Sequence, residues 1–204
     1  MIEIIKDIEQ GSEEWHEMRL AVITASRFKD VLAGGQGKTR FSYMRELAAE
    51  ALTGEAAKLY SNEYMEWGVQ TEPQAKSMYE LRTGNSVEEV AFVRDSDFSG
   101  VGVSPDGLIA EDGLIEIKCP KTTTQIETFL SGDMPKMHKA QVQGQLWITG
   151  RSWCDFVSFD PRIDGAASWF CVRIERDQDY INTLQSKVLD FKNELDLLLT
   201  KLRG

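Results

Sequence analysis

The chain has 204 residues, 42% of them apolar, with 23 Lys and Arg against 33 Asp and Glu and a formal net charge of −10. This composition predicts one globular domain over residues 1–204 and argues against intrinsic disorder. No run of about 18 apolar residues occurs, which excludes a transmembrane helix and a membrane partner, and the first ten residues lack a signal peptide's apolar segment, so we expect a cytoplasmic protein.

Three helices are predicted in the first part of the chain: one that begins at Thr24 or Ser26 and ends at Gly34-Gly35, one over residues 41–52 and one over residues 62–82. The third contains Pro73, which predicts an interruption or a restart because proline lacks the amide hydrogen that a helix interior uses. Gly54 and Gly84 follow the second and third helices as stop signals.

Strands are predicted over residues 87–93, 98–104, 114–119, 153–159 and 168–174, with a helix over 136–147. The last segment places seven apolar residues, from Ile181 to Leu202, at alternating spacings of three and four. This pattern predicts a long amphipathic helix packed on the protein's own sheet, with a coiled coil as the alternative. Helices around a central mixed β-sheet make the fold class α/β or α+β.

The charges are unevenly distributed. An acidic chain is an unusual partner for nucleic acid, yet residues 18–45 contain six bases and a single acid, Asp30. The bases are Arg19, Arg27, Lys29, Lys38, Arg40 and Arg45. Any site for a polyanion is therefore local, and a solvated helix face is the alternative interpretation of this stretch.

The residue composition allows only a few kinds of metal site. The three cysteines lie far apart and never form a CxxC pair, and only two histidines occur, which argues against a disulfide framework and a structural zinc site. Carboxylates would have to hold any metal, and they are the ligands of hard ions such as Mg²⁺ or Mn²⁺.

The segment 104–118 contains two acids and a lysine in a strand-turn-strand pattern. Glu116 and Lys118 share one face of their strand. A three-residue turn with Gly113 in the left-handed position would place Asp106 opposite Lys118 on that same face, whereas a two-residue turn would send Asp106 to the other side. The turn chemistry therefore predicts that the two carboxylates and the lysine converge.

Such a cluster has the groups needed to hydrolyse a phosphodiester. The carboxylates bind a divalent cation, which polarises a phosphoryl oxygen and lowers the pKa of a bound water. Lys118 would orient that water, accept its proton or stabilise the charge that develops on phosphorus. A salt-bridged, solvated sheet face is the alternative, because this spacing also recurs by chance.

Several ordered motifs surround this segment: QGSEEWHEMRLAVITAS at 10–26, WGVQTEP at 67–73, SPDGL at 104–108, LIEIKCP at 114–120, AQVQGQLW at 140–147, FDPR at 159–162 and IERD at 174–177. With them the chain resembles the PD-(D/E)xK nuclease superfamily and, within it, the lambda exonuclease type of YqaJ-like viral recombinase. The resemblance implies a restriction-endonuclease-like core.

The resemblance also implies roles for individual residues. The metal ligands it implies are the carboxylates of Asp106, Glu116 and Glu72 and the peptide carbonyl of Ile117. Lys118 would act on the nucleophilic water, with Gln143 as a further catalytic residue beside it. Gln141 and Gln145 lie one helical turn apart, on a side from which Gln143 must point away.

A pocket for the 5′-phosphate of DNA is implied at Arg19, Thr24 and Ser26. It falls inside the basic stretch and at a predicted helix N-terminus, where free amides favour a phosphate. An ion pair of Arg19 with Glu14 or Glu17 is the structural alternative.

The activity implied by the resemblance is that of a Mg²⁺-dependent 5′→3′ exonuclease, with Mn²⁺ as an alternative ion. It would degrade one strand of linear double-stranded DNA to 5′-mononucleotides and leave 3′ overhangs for recombination. The family further implies a ring-shaped homotrimer, a phage single-strand annealing protein as partner, and a phage or prophage gene expressed in a bacterial cytoplasm. An endonuclease of the same superfamily and an inactive DNA-binding protein on this fold are the alternatives.

Overall fold

The computed structural model describes residues 1–34, 37–56 and 63–204. Two mixed sheets carry the strands. The first has the order β1 (Ile2–Ile5), β4 (Phe92–Asp95), β5 (Val101–Val103) and β2 (Ile23–Thr24). The second has the order β3 (Val87–Glu88), β6 (Gly107–Ile109), β7 (Gly113–Lys118), β8 (Trp153–Phe159) and β9 (Trp169–Glu175). Only the pairs β2–β5 and β7–β8 are parallel among the described strands.

The helices are α1 (Glu13–Met18), α2 (Phe28–Val31), α3 (Lys38–Thr53), α4 (Glu63–Thr83), α5 (Thr122–Ser131), α6 (Lys139–Thr149) and α7 (Gln178–Arg203). The main hydrophobic core lies between α2, α3, α6 and α7 and the two sheets. Five apolar residues of α7, from Ile181 to Leu195, are buried in that core. The predicted amphipathic helix is confirmed, but its main contacts are with the helices α2, α3 and α6, whereas the prediction placed it on the sheet.

The mixed α/β class is confirmed, and the strand predicted over 153–159 has those bounds. The strand predicted over 87–93 is instead two short strands, β3 and β4, that belong to different sheets. The predicted break at Pro73 was wrong, because α4 runs continuously through the proline. A proline costs a helix one backbone hydrogen bond, and α4 is retained by packing of buried residues such as Ala75 and Tyr79.

At the start of the helical part, residues Ala25–Arg27 form a single 3-10 turn that leads into α2. The predicted bounds at Gly35 and Asn62 lie outside the described residues. Among the described elements, four have no counterpart in the sequence predictions: β1, α1, β2 and α5. Within the described ranges, no helix is long and apolar enough to cross a membrane.

Candidate active site

The β6–β7 hairpin brings Asp106, Glu116 and Lys118 to one face of the second sheet. Gly107 pairs with Ile115, and the same register carried one residue further places Asp106 opposite Glu116. The predicted register, with Asp106 opposite Lys118, was wrong by two residues. Because the shift is even, it leaves every side chain on its predicted face, and the predicted convergence is retained.

The register differs because the turn is formed by residues 110–112, one position earlier than predicted. Ala110 takes the left-handed conformation, with φ 47°, and the Arg151 guanidinium donates hydrogen bonds to the carbonyls of Ile109, Ala110 and Gly113. Gly113 is a strand residue instead: a Cβ there would lie 2.2 Å from the Trp153 ring. The glycine is needed for a close approach and not for a positive φ.

The Glu116 side chain is fully buried, and hydrogen-bond donors surround its carboxylate. Gln141 donates to its Oε1 at 2.5 Å and Gln145 donates to its Oε2 at 2.6 Å, while the Lys118 ammonium forms an ion pair with it. Burial alone would lower the pKa of Lys118, but the carboxylates of Glu116 and Asp106 raise it above its ordinary value.

The placement of Gln143 beside Lys118 was wrong. Its Nε2 donates to the carbonyl of Glu175 and its Oε1 accepts from the amide of Asp177, both at 2.9 Å. Gln143 therefore holds the junction between β9 and α7. The glutamines at Glu116 are Gln141 and Gln145, whose spacing of four puts them on the opposite side of α6.

Asp106 is fixed by the backbone of β7, since the Ile117 amide donates to its Oδ2 at 2.5 Å. The amide and carbonyl of a strand residue point to the same side of the strand, so the Ile117 carbonyl lies on the same side of β7 as Asp106. Burial raises the pKa of Asp106 well above its ordinary value, and the carboxylates of Glu116 and Glu72 add to the shift.

Glu72 projects from α4 into the groove that also contains Asp106, a groove of about 470 Å³ that we call the Glu72 groove. Burial raises the pKa of Glu72, although the positive charges of Lys118 and Lys76 oppose the shift. Glu72 and Asp106 thus line one groove, and both interact electrostatically with Glu116.

The residues predicted for a 5′-phosphate line a second cleft, of about 210 Å³. We call it the Arg19 cleft, and its lining is Gln10, Trp15, Arg19, Thr24, Ala25, Ser26, Ser104, Gln141 and Gln145. Gln141 and Gln145 are thus shared between this cleft and the carboxylate of Glu116. Gly144 permits the arrangement, because a Cβ there would lie 2.4 Å from the Phe28 ring and would push α2 away from α6.

Arg19 lies in this cleft as a cation that has no acidic partner among the described residues. Its Nη1 donates to Ser104 Oγ at 3.0 Å and its guanidinium stacks 3.8 Å from the Trp15 ring centroid. No carboxylate of the described part of the chain lies within 4.0 Å of it, so the alternative pairing with Glu14 or Glu17 is not seen. Burial lowers the pKa of Arg19 to about 10, which leaves it charged at neutral pH. An anion entering the cleft would supply the missing counter-charge.

Residues 14–152, about two-thirds of the chain, match the model of the YqaJ-like viral recombinase domain. The chain belongs to this family. Its structure is similar to that of LHK-Exo, an alkaline exonuclease from Laribacter hongkongensis solved in complex with dAMP. The TM-score is 0.90 and the identity 42%, over 94% of this chain and 96% of that one.

Two further comparisons are more distant. A phage-related exonuclease from Haemophilus somnus has the same fold, with a TM-score of 0.68 and 19% identity over 89% of this chain and 96% of that one. An uncharacterized protein of Acanthamoeba polyphaga mimivirus is 26% identical over 185 residues, which cover 83% of this chain. The chain spans about a third (32%) of that viral protein's length.

The donor chemistry of this YqaJ-like site fits a hard divalent cation. Asp106 and Glu116 supply carboxylate oxygens, and the Ile117 carbonyl supplies a third oxygen next to the amide that binds Asp106. Within the residues described, no three His, Cys, Asp or Glu side chains form a ready-made metal cluster. Amide donors and Lys118 hold the carboxylates instead. Burial raises the pKa of Asp106 and the carboxylates of Glu116 and Glu72 raise it further, and a bound cation would offset that negative charge.

Proposed function

We propose that this protein is a Mg²⁺-dependent 5′→3′ exonuclease that degrades one strand of linear double-stranded DNA. The observation that carries the proposal is the sharing of Gln141 and Gln145 between the Arg19 cleft and Glu116. A site for a terminal phosphate next to the reacting groups favours cleavage at an end over cleavage within a strand. LHK-Exo supports the same class, because it is an alkaline exonuclease that binds a 5′-mononucleotide.

The proposed metal ligands are Asp106, Glu116 and the Ile117 carbonyl, with Glu72 close by in the same groove. A Mg²⁺ ion bound there would polarise the scissile phosphate and lower the pKa of a water. The water loses a proton to solvent as its oxygen forms a bond to phosphorus, and the bond from phosphorus to the 3′-oxygen of the terminal nucleotide breaks. That oxygen takes a proton and leaves on a 5′-mononucleotide, and the shortened strand keeps a new 5′-phosphate.

Lys118 serves in this reaction as a positive charge. Because Glu116 and Asp106 raise its pKa, it stays protonated at neutral pH, which favours orienting the water and stabilising charge on phosphorus over accepting a proton. Its bond to Glu116 keeps the ammonium next to the proposed metal ligands.

The Arg19 cleft holds the 5′-phosphate in this proposal. Arg19 supplies a positive charge. The hydroxyls of Thr24 and Ser26, 3.3 Å apart, supply hydrogen-bond donors at the start of the 3-10 turn. Each hydrolysis regenerates a 5′-phosphate that fits the same cleft, so the enzyme would advance along one strand and leave a 3′ overhang for single-strand annealing recombination.

The family also predicts a homotrimeric ring, an annealing partner, activity with Mn²⁺ and residence in the bacterial cytoplasm, and these stay predictions. A single chain carries both the Arg19 cleft and the carboxylates, so the proposed chemistry does not depend on the ring or on the partner.

The test is digestion of 5′-phosphorylated linear duplex DNA beside a covalently closed circle, with Mg²⁺ or with EDTA. We expect mononucleotides from the linear DNA only, in Mg²⁺ only, and none from a Lys118→Ala variant. Cutting of the circle would replace the proposal with an endonuclease. Metal binding without cleavage of either DNA would identify an inactive DNA-binding protein.

A further inference from the structure

One face of helix α3 holds the chain segment that forms the floor of the Arg19 cleft. Three side chains of α3, those of Tyr43, Glu46 and Glu50, form hydrogen bonds with residues of the segment 21–27. Their spacings of three and four residues place them on the same side of the helix. They do not line the cleft themselves, so they would act on a bound phosphate only through the residues that they hold.

Tyr43 holds the middle of this segment. Its side chain is buried, and its Oη accepts a hydrogen bond from the Thr24 amide at 3.2 Å, where β2 ends and the 3-10 turn begins. The Tyr43 ring is stacked on Phe191 of α7, with ring centroids 5.5 Å apart. The hydroxyl therefore has a fixed position, and it fixes the backbone from which the hydroxyls of Thr24 and Ser26 project.

Glu50 holds the start of the segment, two residues after Arg19. Its Oε2 accepts a hydrogen bond from the Ala21 amide at 2.9 Å. Ala21 has a φ of 55°, a left-handed conformation that is unfavourable for alanine. Such a conformation persists only where the surrounding structure holds it. The bend that directs the chain from Arg19 towards Thr24 thus depends on the carboxylate of Glu50.

Glu46 holds the end of the segment. The Arg27 guanidinium donates to its two carboxylate oxygens at 2.8 and 3.1 Å. The same guanidinium lies 4.2 Å from the centroid of the Tyr43 ring. Arg27 is the last residue of the 3-10 turn, so the segment is fixed to α3 at its start, its middle and its end.

The proposed phosphate ligands lie on both sides of the bend at Ala21. Resting on the proposed function, we propose that Tyr43 and Glu50 are positioning residues that fix Arg19 relative to the hydroxyls of Thr24 and Ser26. By this they determine the preference for a 5′-phosphorylated end. A phosphate gains from several donors only when all of them lie at hydrogen-bonding distance together. A 5′-hydroxyl end makes no such contacts, so it is insensitive to the spacing of these donors.

The first experiment removes the Tyr43 hydroxyl alone. In Tyr43→Phe, kcat/KM for 5′-phosphorylated linear duplex should fall about three- to tenfold, the effect of one hydrogen bond, while kcat/KM for 5′-hydroxyl duplex is unchanged. Tyr79→Phe is the matched control, because it removes another buried tyrosine hydroxyl, one that donates to Asp155. It should retain the full preference. Equal slowing of both ends in Tyr43→Phe would overturn the inference, because it would indicate a purely structural role.

The second experiment uses the backbone conformation of Ala21. Glu50→Leu should lower the preference for the 5′-phosphate about three- to tenfold, whereas Glu50→Gln keeps an acceptor oxygen and should retain it. Adding Ala21→Gly to Glu50→Leu should restore most of the preference, because glycine adopts a positive φ at no steric cost. A double variant no better than Glu50→Leu would show that the bend at Ala21 is not what Glu50 controls.

A binding measurement separates this inference from the proposed function. If the protein cleaves no duplex, the nuclease proposal fails, and fluorescence anisotropy with the two duplexes in EDTA still gives the preference. Tyr43→Phe and Glu50→Leu should bind the 5′-phosphorylated duplex about three- to tenfold more weakly than the parent and the 5′-hydroxyl duplex equally well. The same preference in parent and variants, or no preference in the parent, would overturn the inference even in an active nuclease.

Discussion

The carboxamide of Gln145 donates to Glu116 Oε2 at 2.6 Å and thereby joins helix α6 to strand β7 at the proposed metal site. Gln145 is itself 1% exposed, and its Oε1 has no hydrogen-bond partner among the described residues. With Gln141 on the other carboxylate oxygen, Glu116 has a single orientation before any substrate or ion binds. Such preorganisation is what fixes a metal ligand in its productive geometry.

Replacing Gln145, which contacts Glu116, should impair activity, whereas replacing Gln143, which does not, should impair stability. Gln145→Leu removes a donor from Glu116 and should lower Mg²⁺ affinity or kcat by about 10- to 100-fold. Gln143→Leu removes two backbone contacts at the β9–α7 junction and should lower the free energy of unfolding by about 1–3 kcal/mol, with kcat unchanged. Steady-state kinetics and urea unfolding of both variants are the measurements. A larger loss of kcat in Gln143→Leu would reinstate that residue as catalytic.

Lys118→Met should lower kcat about 10²–10³-fold, because the reacting phosphate loses a fixed positive charge. KM for DNA and binding of Mg²⁺ by calorimetry should change little, since the carboxylates and the Arg19 cleft are intact. If the variant no longer bound Mg²⁺, Lys118 would be needed to build the metal site and not to act on the substrate.

Arg19→Met should remove the preference for a 5′-phosphorylated end. A hydrogen bond to a charged group contributes about 1.5–3 kcal/mol, so kcat/KM on 5′-phosphate DNA should fall about 10- to 100-fold, to the level of 5′-hydroxyl DNA. Stability should be retained, because no described carboxylate within 4.0 Å would lose its partner. Competition between 5′-phosphate and 5′-hydroxyl duplexes measures the ratio, and an unchanged ratio would place the phosphate elsewhere.

Divalent cations should stabilise the fold most at high pH. The pKa of Asp106 is raised in the folded state, so between the unfolded and the folded pKa the native protein binds more protons, and the free energy of unfolding falls as pH rises. A bound cation offsets that charge and competes with the proton. Melting temperatures in EDTA and in Mg²⁺ between pH 5 and pH 9 should diverge as pH rises.

Asp106→Asn is the control for this pH effect, because its amide oxygen can still accept from Ile117. In EDTA it should melt above the parent at high pH, and Mg²⁺ should no longer raise its melting temperature. A pH-independent effect of Mg²⁺ on the parent would show that the ion binds away from Asp106.

The turn of the β6–β7 hairpin offers a paired test of its register. Gly113→Ala should lower the free energy of unfolding by about 1–3 kcal/mol, because the added methyl overlaps Trp153. Ala110→Gly should raise it by about 0.5–1 kcal/mol, since the left-handed backbone at Ala110 is costly for alanine. Urea unfolding of both variants is the measurement, and the reverse order of stabilities would restore the predicted turn.

The sequence by itself determined that Asp106, Glu116 and Lys118 lie on one face of the hairpin. Alternation along a strand is a local property, so Glu116 and Lys118 had to share a side. The observed register differs from the predicted one by an even number of residues, so Asp106 stays on that side although the turn lies one residue earlier than predicted. In the same way, the spacing of Gln141 and Gln145 placed them on one face of a helix without reference to any other element.

Only the tertiary structure decided which face of α6 meets Glu116, where the turn lies and that the Arg19 cleft adjoins the carboxylates. These depend on contacts between residues far apart in the chain: Gly113 with Trp153, Gly144 with Phe28, and Gln143 with the β9–α7 junction. Propensity and periodicity act over a few residues, whereas the rotation of a helix against a sheet is set by the packing of side chains from several elements.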